Sequence, residues 1–288
     1  MPSLLLSASA NSNDKCPPND MPIPEGWVTP FPAYRVIANL YAVGPADLGV
    51  FLITTSEGHI LINTGIEDST PLIRENIEKA GFRLEDIKIL LVMQSHIDHA
   101  AALAEIKEIT GAQMLATRRD ARVLQDGGAS DPHFGECTIL RFKPVAIDRV
   151  IADGEVIELG TTRLLVHEHP GHTEGSSSYS MTVSEGGRDY NVAIVNMGSI
   201  NDGKKLVENP TYPGVADDFA ETFRKQKAME VDVWVAAHAG HFRRQEKHTP
   251  GQTYSPDTFF DPKGFLAMVE YYESKYLAQV AEEESSVE

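Results

Sequence analysis

The sequence predicts a layered α/β fold, and three observations carry that prediction. Short apolar runs alternate with stretches of helical spacing through the first half of the chain. One run, Ile89-Leu90-Leu91-Val92-Met93, leads straight into the polar cluster Gln94-Ser95-His96-Ile97-Asp98-His99. That places chemically capable side chains on a loop at a strand's carboxyl end, where open α/β sheets hold their ligands. Finally, 42% hydrophobic and 23% charged residues over 288 positions suffice to bury a sizeable core and exclude disordered and membrane-spanning classes.

Taken in order, residues 1–26 read as a flexible leader or signal remnant. Leu4-Leu5-Leu6 before Ser7-Ala8-Ser9-Ala10 resembles the end of a secretory signal, but no basic segment precedes it and the apolar core is short. Tyr41, Val43 and Val50-Phe51-Leu52-Ile53 suggest strands. Ser56-Glu57-Gly58 is a turn, and Ile60-Leu61-Ile62 completes a hairpin. Asp68-Ser69 with Pro71 starts a helix whose Leu72, Ile73, Ile77 and Ala80 share a face, and Gly81 stops it. After the strand over 87–93, Leu103, Ile106 and Ile109 mark a helix ending before Gly111, residues 112–116 a strand, and 118–124 another helix.

The composition of 126–135 is that of a loop able to lie over a site. Residues 144–165 give two or three strands, and 178–183 with 190–195 form a hairpin. A helix over 217–229, a strand over 231–235 and an amphipathic helix over 262–280 follow. The acidic residues 282–288 read as a disordered tail, leaving 27–281 as a single domain. Lys plus Arg number 25 against 42 Asp plus Glu, a formal net charge of −17, which argues against nucleic-acid partners. Two cysteines, Cys16 and Cys137, are too few for a disulfide scaffold; either one bridge or two free thiols fits.

Three strand ends carry histidine: the opening cluster, His172 in Pro170-Gly171-His172-Thr173, and His238 in Ala236-Ala237-His238. Two imidazoles and a carboxylate within four residues suit zinc, and ligands from separated segments are what a zinc site needs. Of the other histidines, His59 reads as a surface strand residue, His248 as part of a polar loop, and His167 and His169 as no closer than neighbours of His172. His133 and His241 are loop residues within possible reach of the pocket.

These residues resemble the metallo-β-lactamase superfamily, and most of all the subclass B3 β-lactamases of the GOB-like branch, which has Gln for the first motif histidine. Asn39-Leu40-Tyr41-Ala42-Val43-Gly44, Leu61-Ile62-Asn63-Thr64-Gly65, the run Pro170 to Ser176, Thr211-Tyr212-Pro213 and the His238 strand end extend the resemblance over most of the chain. It implies a four-layer αββα sandwich. It implies one or two zinc ions, a first at Gln94, His96 and His172 and a tighter second at Asp98, His99 and His238. It also implies hydrolysis of the lactam amide of penicillins, cephalosporins and carbapenems by a water or hydroxide held at the metals, with Asp98 orienting the nucleophile. Tyr212 would face the developing oxyanion and Ser199 the substrate carboxylate, although a packing tyrosine and a turn serine are the plain alternatives. A periplasmic monomer acting on a small molecule, without nucleic acid or membrane, completes the expectation.

Three departures bear on the chemistry. Gln94 offers a neutral amide oxygen, weaker toward zinc than imidazole. Asn63 stands where other superfamily members commonly have Asp, which alters the hydrogen bonding around the ligands. Met197 stands where many hydrolases of the fold carry a bridging Asp. That residue and Gln94 weigh against the rivals, a lactonase or a glyoxalase-like thioesterase; a metal-binding protein without turnover is the third reading.

Overall fold

A computed structural model describes residues 16–18 and 20–287. Most of the expected leader, residues 1–15 and 19, lies outside the described residues. Within the remainder, Cys16 is bonded to Cys137, and a single turn, α1 (Glu25–Val28), precedes the first strand. Within the segment expected as a leader, Cys16 is thus covalently tied to the body of the protein.

The first sheet is built from β1 (Tyr34–Ile37), β2 (Leu40–Ala42), β3 (Phe51–Thr55) and β4 (Gly58–Ile62), followed by α2 (Thr70–Lys79), β5 (Ile87–Leu91), α3 (Ile97–Ala100), α4 (Leu103–Thr110), β6 (Gln113–Thr117), α5 (Arg118–Gln125) and β7 (Arg149–Ile151). Its seven strands lie in sequence order, antiparallel from β1 to β4 and parallel from β4 to β7. The parallel half follows from helical crossovers, which antiparallel hairpins do not need. The second sheet has β8 (Val156–Leu159), β9 (Thr162–Glu168), β10 (Ser177–Glu185) and β11 (Arg188–Val195). After α6 (Val215–Lys227) it gains β12 (Val233–Ala236), and α7 (Arg244–Lys247) and α8 (Pro262–Val287) close the chain. Its order is β12-β11-β10-β9-β8, with only the β11–β12 pair parallel.

The pleat explains the layers. On β4, Ile60 and Ile62 join the cluster between the sheets, where Tyr179, Val192 and Ile194 meet them, while Leu61 joins the cluster under the helices with Ile73, Ile77 and Leu103. The same division holds on β5, with Ile89 and Leu91 on one side and Leu90 on the other. A strand covered on both faces has no polar alternation, which is why β4 and β5 read as continuous apolar runs. Phe219 and Phe223 from α6 pack their rings on each other and on Tyr276 from α8, and all three are continuous with the cluster that contains the second sheet. The sandwich is the four-layer αββα arrangement. Among the described residues no helix is long and apolar enough to cross a membrane.

Two local expectations are corrected. The acidic end is not a disordered tail within the described residues, since α8 continues to Val287. Glu283 gives the reason: its Oε2 accepts hydrogen bonds from the backbone N–H groups of Leu206 and Val207, both at 2.8 Å, and its Oε1 accepts from Gln279 at 2.7 Å. Likewise, residues 97–100 are one helical turn rather than a loop.

Candidate metal centre

The carboxyl ends of β4, β5, β9, β11 and β12 deliver the polar residues to one place. After β5 the backbone stays extended through His96 and then turns helical, so His96 and the pair Asp98 and His99 diverge. His96 meets His172, with ring centroids 5.0 Å apart and planes at 68°. Asp98 and His99 meet His238: Asp98 Oδ2 lies 3.0 Å from His99 Nε2 and 3.2 Å from His238 Nε2, and the two Nε2 atoms are 3.3 Å apart. Among the described residues, Asp98, His99 and His238 form a group whose ligand atoms all lie within 4.8 Å of one another.

Each imidazole is oriented by a partner on its far side. His172 Nδ1 donates to the Ser199 carbonyl at 2.8 Å, which leaves Nε2 with its lone pair free. His238 Nδ1 donates to Asp47 Oδ2 at 3.2 Å, which turns Nε2 toward Asp98. His96 is held through Nε2 by Asp131 Oδ2 at 3.4 Å, so its Nδ1 is the available nitrogen. The Asp131 carboxylate is itself fixed, its Oδ1 accepting from the N–H groups of His133 at 2.8 Å and Phe134 at 2.6 Å. Carboxylates and carbonyls behind ligating histidines set ring direction and basicity in metal sites.

Asn63 is the exception. It follows β4 in the left-handed region at φ 63°, a conformation Asn tolerates better than most residues. Its Oδ1 accepts from Met93 N–H at 2.8 Å and its Nδ2 donates to the Gly49 carbonyl at 2.9 Å, fixing the amide. Nδ2 therefore faces His99 Nδ1 at 3.3 Å. An aspartate there would accept a ring proton; the amide nitrogen cannot, so His99 carries its proton on Nε2 against Asp98.

The charges follow from these contacts. Burial pushes the Asp98 carboxyl up, but His99 and His238 beside it overcome burial and hold it well below the usual carboxylate range. For His238, burial works against the charged form, yet hydrogen bonds to Asp47 and Asp98 win and raise it to about 9. His172 and His99 are pushed down, chiefly by burial. Asp120, buried beneath the His172 turn, is raised to about 6 by burial while it accepts from Thr173 Oγ1 and Gly175 N–H.

Gln94 is the ligand candidate expected beside His96 and His172. Its side chain is buried, and Oε1 has no hydrogen-bond partner. A buried carbonyl oxygen without a partner costs about 1–3 kcal/mol, so such an atom at a ligand position fits a group that would use it. The donor set fits zinc once the imidazole protons at the Asp98 site are displaced: imidazole nitrogens, an ionised carboxylate and an orphaned amide oxygen.

Other expected residues are placed elsewhere. Tyr212 is buried and its hydroxyl donates to Asp218 at 2.7 Å, so in this conformation it is committed away from the metal ligands. Ser199 touches His172, with Oγ 3.1 Å from Nδ1. His133 Nε2 donates to the Asp202 carbonyl at 3.1 Å, which turns it from the site. His241 stacks edge-on between His238 and Tyr272 and lies outside the Asp98 group, and burial pushes it down to about 3. His59 is buried against Phe82 rather than exposed, and His248 is packed on Tyr34 rather than solvated. Asp47, Asp131 and Lys204 went unnoticed in the sequence; only their loop settings, Pro45-Ala46-Asp47 and Asp131-Pro132, offered a signal.

The sequence pattern of the metallo-beta-lactamase superfamily matches residues 50–184. The structure of the metallo-beta-lactamase GOB-18 from Elizabethkingia meningoseptica superimposes with a TM-score of 0.88 at 39% identity, covering 91% of this chain and 97% of that one. The class B3 di-zinc metallo-beta-lactamase LRA-12 from an Alaskan soil metagenome gives 0.87 at 41% identity, covering 90% and 98%. A curated hydroxyacylglutathione hydrolase from Bradyrhizobium sp. is 29% identical over 143 residues, 46% of this chain. The match spans about half of that relative, 47% of its length.

Proposed function

This chain belongs to the metallo-β-lactamase superfamily, and from that premise we propose that it is a zinc-dependent β-lactamase that opens the lactam amide of penicillins, cephalosporins and carbapenems. The observation that carries the reading is the convergence of Asp98, His99 and His238 beside the His96–His172 pair; we read the first as one zinc site and the second, with Gln94, as the other. The resemblance of the whole chain to class B3 enzymes supports it.

Bound at these residues, zinc would supply Lewis acidity, making water acidic enough to act near neutral pH and stabilising charge on the leaving nitrogen. The protein's part is orientation. Asp47, Asp131 and the Ser199 carbonyl each hold one histidine with a chosen nitrogen inward. Asp98 remains ionised and can both ligate and accept a proton-bearing neighbour. The set with a carboxylate is the tighter of the two, because the first relies on a neutral amide oxygen. Tyr212 would serve the oxyanion only after its hydroxyl leaves Asp218. Ser199 would reach the substrate carboxylate through Oγ while its carbonyl keeps His172 in place.

All six ligand candidates lie within one chain, so the proposed site needs no partner subunit, and we read the protein as a monomer. The Cys16–Cys137 bridge fits an oxidising compartment such as the periplasm. The curated relatives favour thioester hydrolysis as the second reading. Buried Met197, where many hydrolases of the fold place a bridging carboxylate, speaks against it. The test is a panel: zinc-loaded protein against a penicillin, a cephalosporin, a carbapenem, a homoserine lactone and a glutathione thioester, each with chelator. Chelator-sensitive turnover of the β-lactams is expected; turnover confined to the lactone or thioester would transfer the assignment.

A further inference from the structure

Lys204 is an ammonium almost fully enclosed, 3% exposed, and it forms no ion pair among the described residues. Its Nζ donates to two backbone carbonyls, Gly171 at 2.9 Å and His172 at 2.5 Å, and the Tyr212 ring lies 5.6 Å away. Asp131, Asp120 and Glu174 favour its charge without pairing with it directly, while burial opposes it; burying an ammonium on backbone acceptors is expensive, and an apolar side chain would fill the same space without that cost. The carbonyls it grips belong to the turn that presents His172, a turn shaped by Gly171 at φ +126°, where an added Cβ would lie 2.7 Å from the Phe219 ring.

The surrounding contacts have one direction. Asn201 Nδ2 donates to the same His172 carbonyl at 3.2 Å, and the Ser199 carbonyl accepts from His172 Nδ1 at 2.8 Å. Residues 199, 201 and 204 thus hold the backbone and the ring of one histidine. The segment is itself anchored to α8, where Gln279 Nε2 donates to the Lys204 carbonyl at 2.7 Å and Glu283 accepts from Leu206 and Val207.

We propose that Lys204 is a positioning residue for His172, holding its turn so that the imidazole reaches the first metal site, and that its influence does not extend to the Asp98, His99 and His238 site. The proposal rests on the reading of His172 as a first-site ligand.

The experiment is zinc titration of the metal-free wild type and of Lys204→Met against a competing chelator, with His172→Ala and His238→Ala assigning the two binding steps. Metal-free melting temperatures are read alongside. Loss of an outer partner costs about 10–100-fold in metal affinity, so Lys204→Met is expected to weaken the His172 step by that factor while leaving the His238 step in place. Equal weakening of both steps, or neither, overturns the proposal. A wild type whose strongest steps are untouched by His172→Ala overturns the ligand reading itself, which separates the two failures. Should Lys204→Met not fold, Asn201→Ala removes one donor to the same carbonyl and is expected to weaken the His172 step selectively; an unselective or absent effect again overturns the proposal.

Discussion

Replacing Gln94 by methionine separates a ligand from a packing residue, because the two roles predict opposite signs. Gln94 is 2% exposed and its Oε1 has no partner, so the metal-free fold carries the full desolvation cost of that oxygen. That cost is about 1–3 kcal/mol. Methionine has a similar volume without the orphaned carbonyl, so the metal-free Gln94→Met protein is expected to be more stable than wild type by an amount in this range, less any repacking strain. Zinc then loses the ligand that would have relieved the cost. The same 1–3 kcal/mol corresponds to roughly 5- to 150-fold in affinity, and the weakening is expected at the His172 step alone. Urea unfolding of chelator-treated protein reads the first quantity, and zinc competition reads the second. The converse variant, Gln94→His, supplies an imidazole and is expected to raise first-site affinity. Reduced stability of the metal-free Gln94→Met protein together with unchanged zinc affinity would refute the assignment and leave Gln94 as a packed loop amide.

The remaining predictions concern protons, ring orientation and the covalent bond. With His238 raised from 6.5 to about 9, the metal-free site holds a proton there at pH 7. The stabilisation this gives the metal-free fold is complete below about 6.5 and disappears as pH rises through about 9. Zinc must displace that proton, so second-site affinity should climb about tenfold per pH unit below 9, with about one proton released per zinc at pH 7; calorimetry in buffers of differing ionisation heat would contradict this by finding no release. Asp131→Asn keeps an acceptor for the His133 and Phe134 N–H groups but weakens the hold on His96, and first-site affinity should fall about 10–100-fold; an unchanged zinc titration would count against that role. Reducing the Cys16–Cys137 bridge, which joins residues 121 apart, should cost the metal-free protein about 2–5 kcal/mol. A urea midpoint that does not move on reduction would contradict it.

The residues found in the sequence share a physical signature. His96, Asp98, His99, His172 and His238 each follow a strand whose apolar run ends abruptly, and the sheet brings those ends together. Period and punctuation therefore located them, and the layered fold followed from the same pattern. What stayed hidden was decided by partners distant in sequence. Asp47, Asp131 and Lys204 lie on loops without periodicity, and their importance arises from contacts with His238, His96 and the His172 turn. The pairing of Cys16 with Cys137 needed the folded geometry. The acidic end of α8 looked too charged to order, but Glu283 finds two backbone N–H donors there. His59 looked exposed because it is polar, yet on β4 it is buried against Phe82.

The most direct test of the central claim is a zinc titration of the metal-free protein in which hydrolysis of a penicillin or carbapenem is followed at each equivalent of metal. Turnover that is absent without zinc, rises with occupancy of the His238 and His172 steps, and is lost in His238→Ala is the expected result. Full zinc occupancy at both steps with no β-lactam opened would contradict the account.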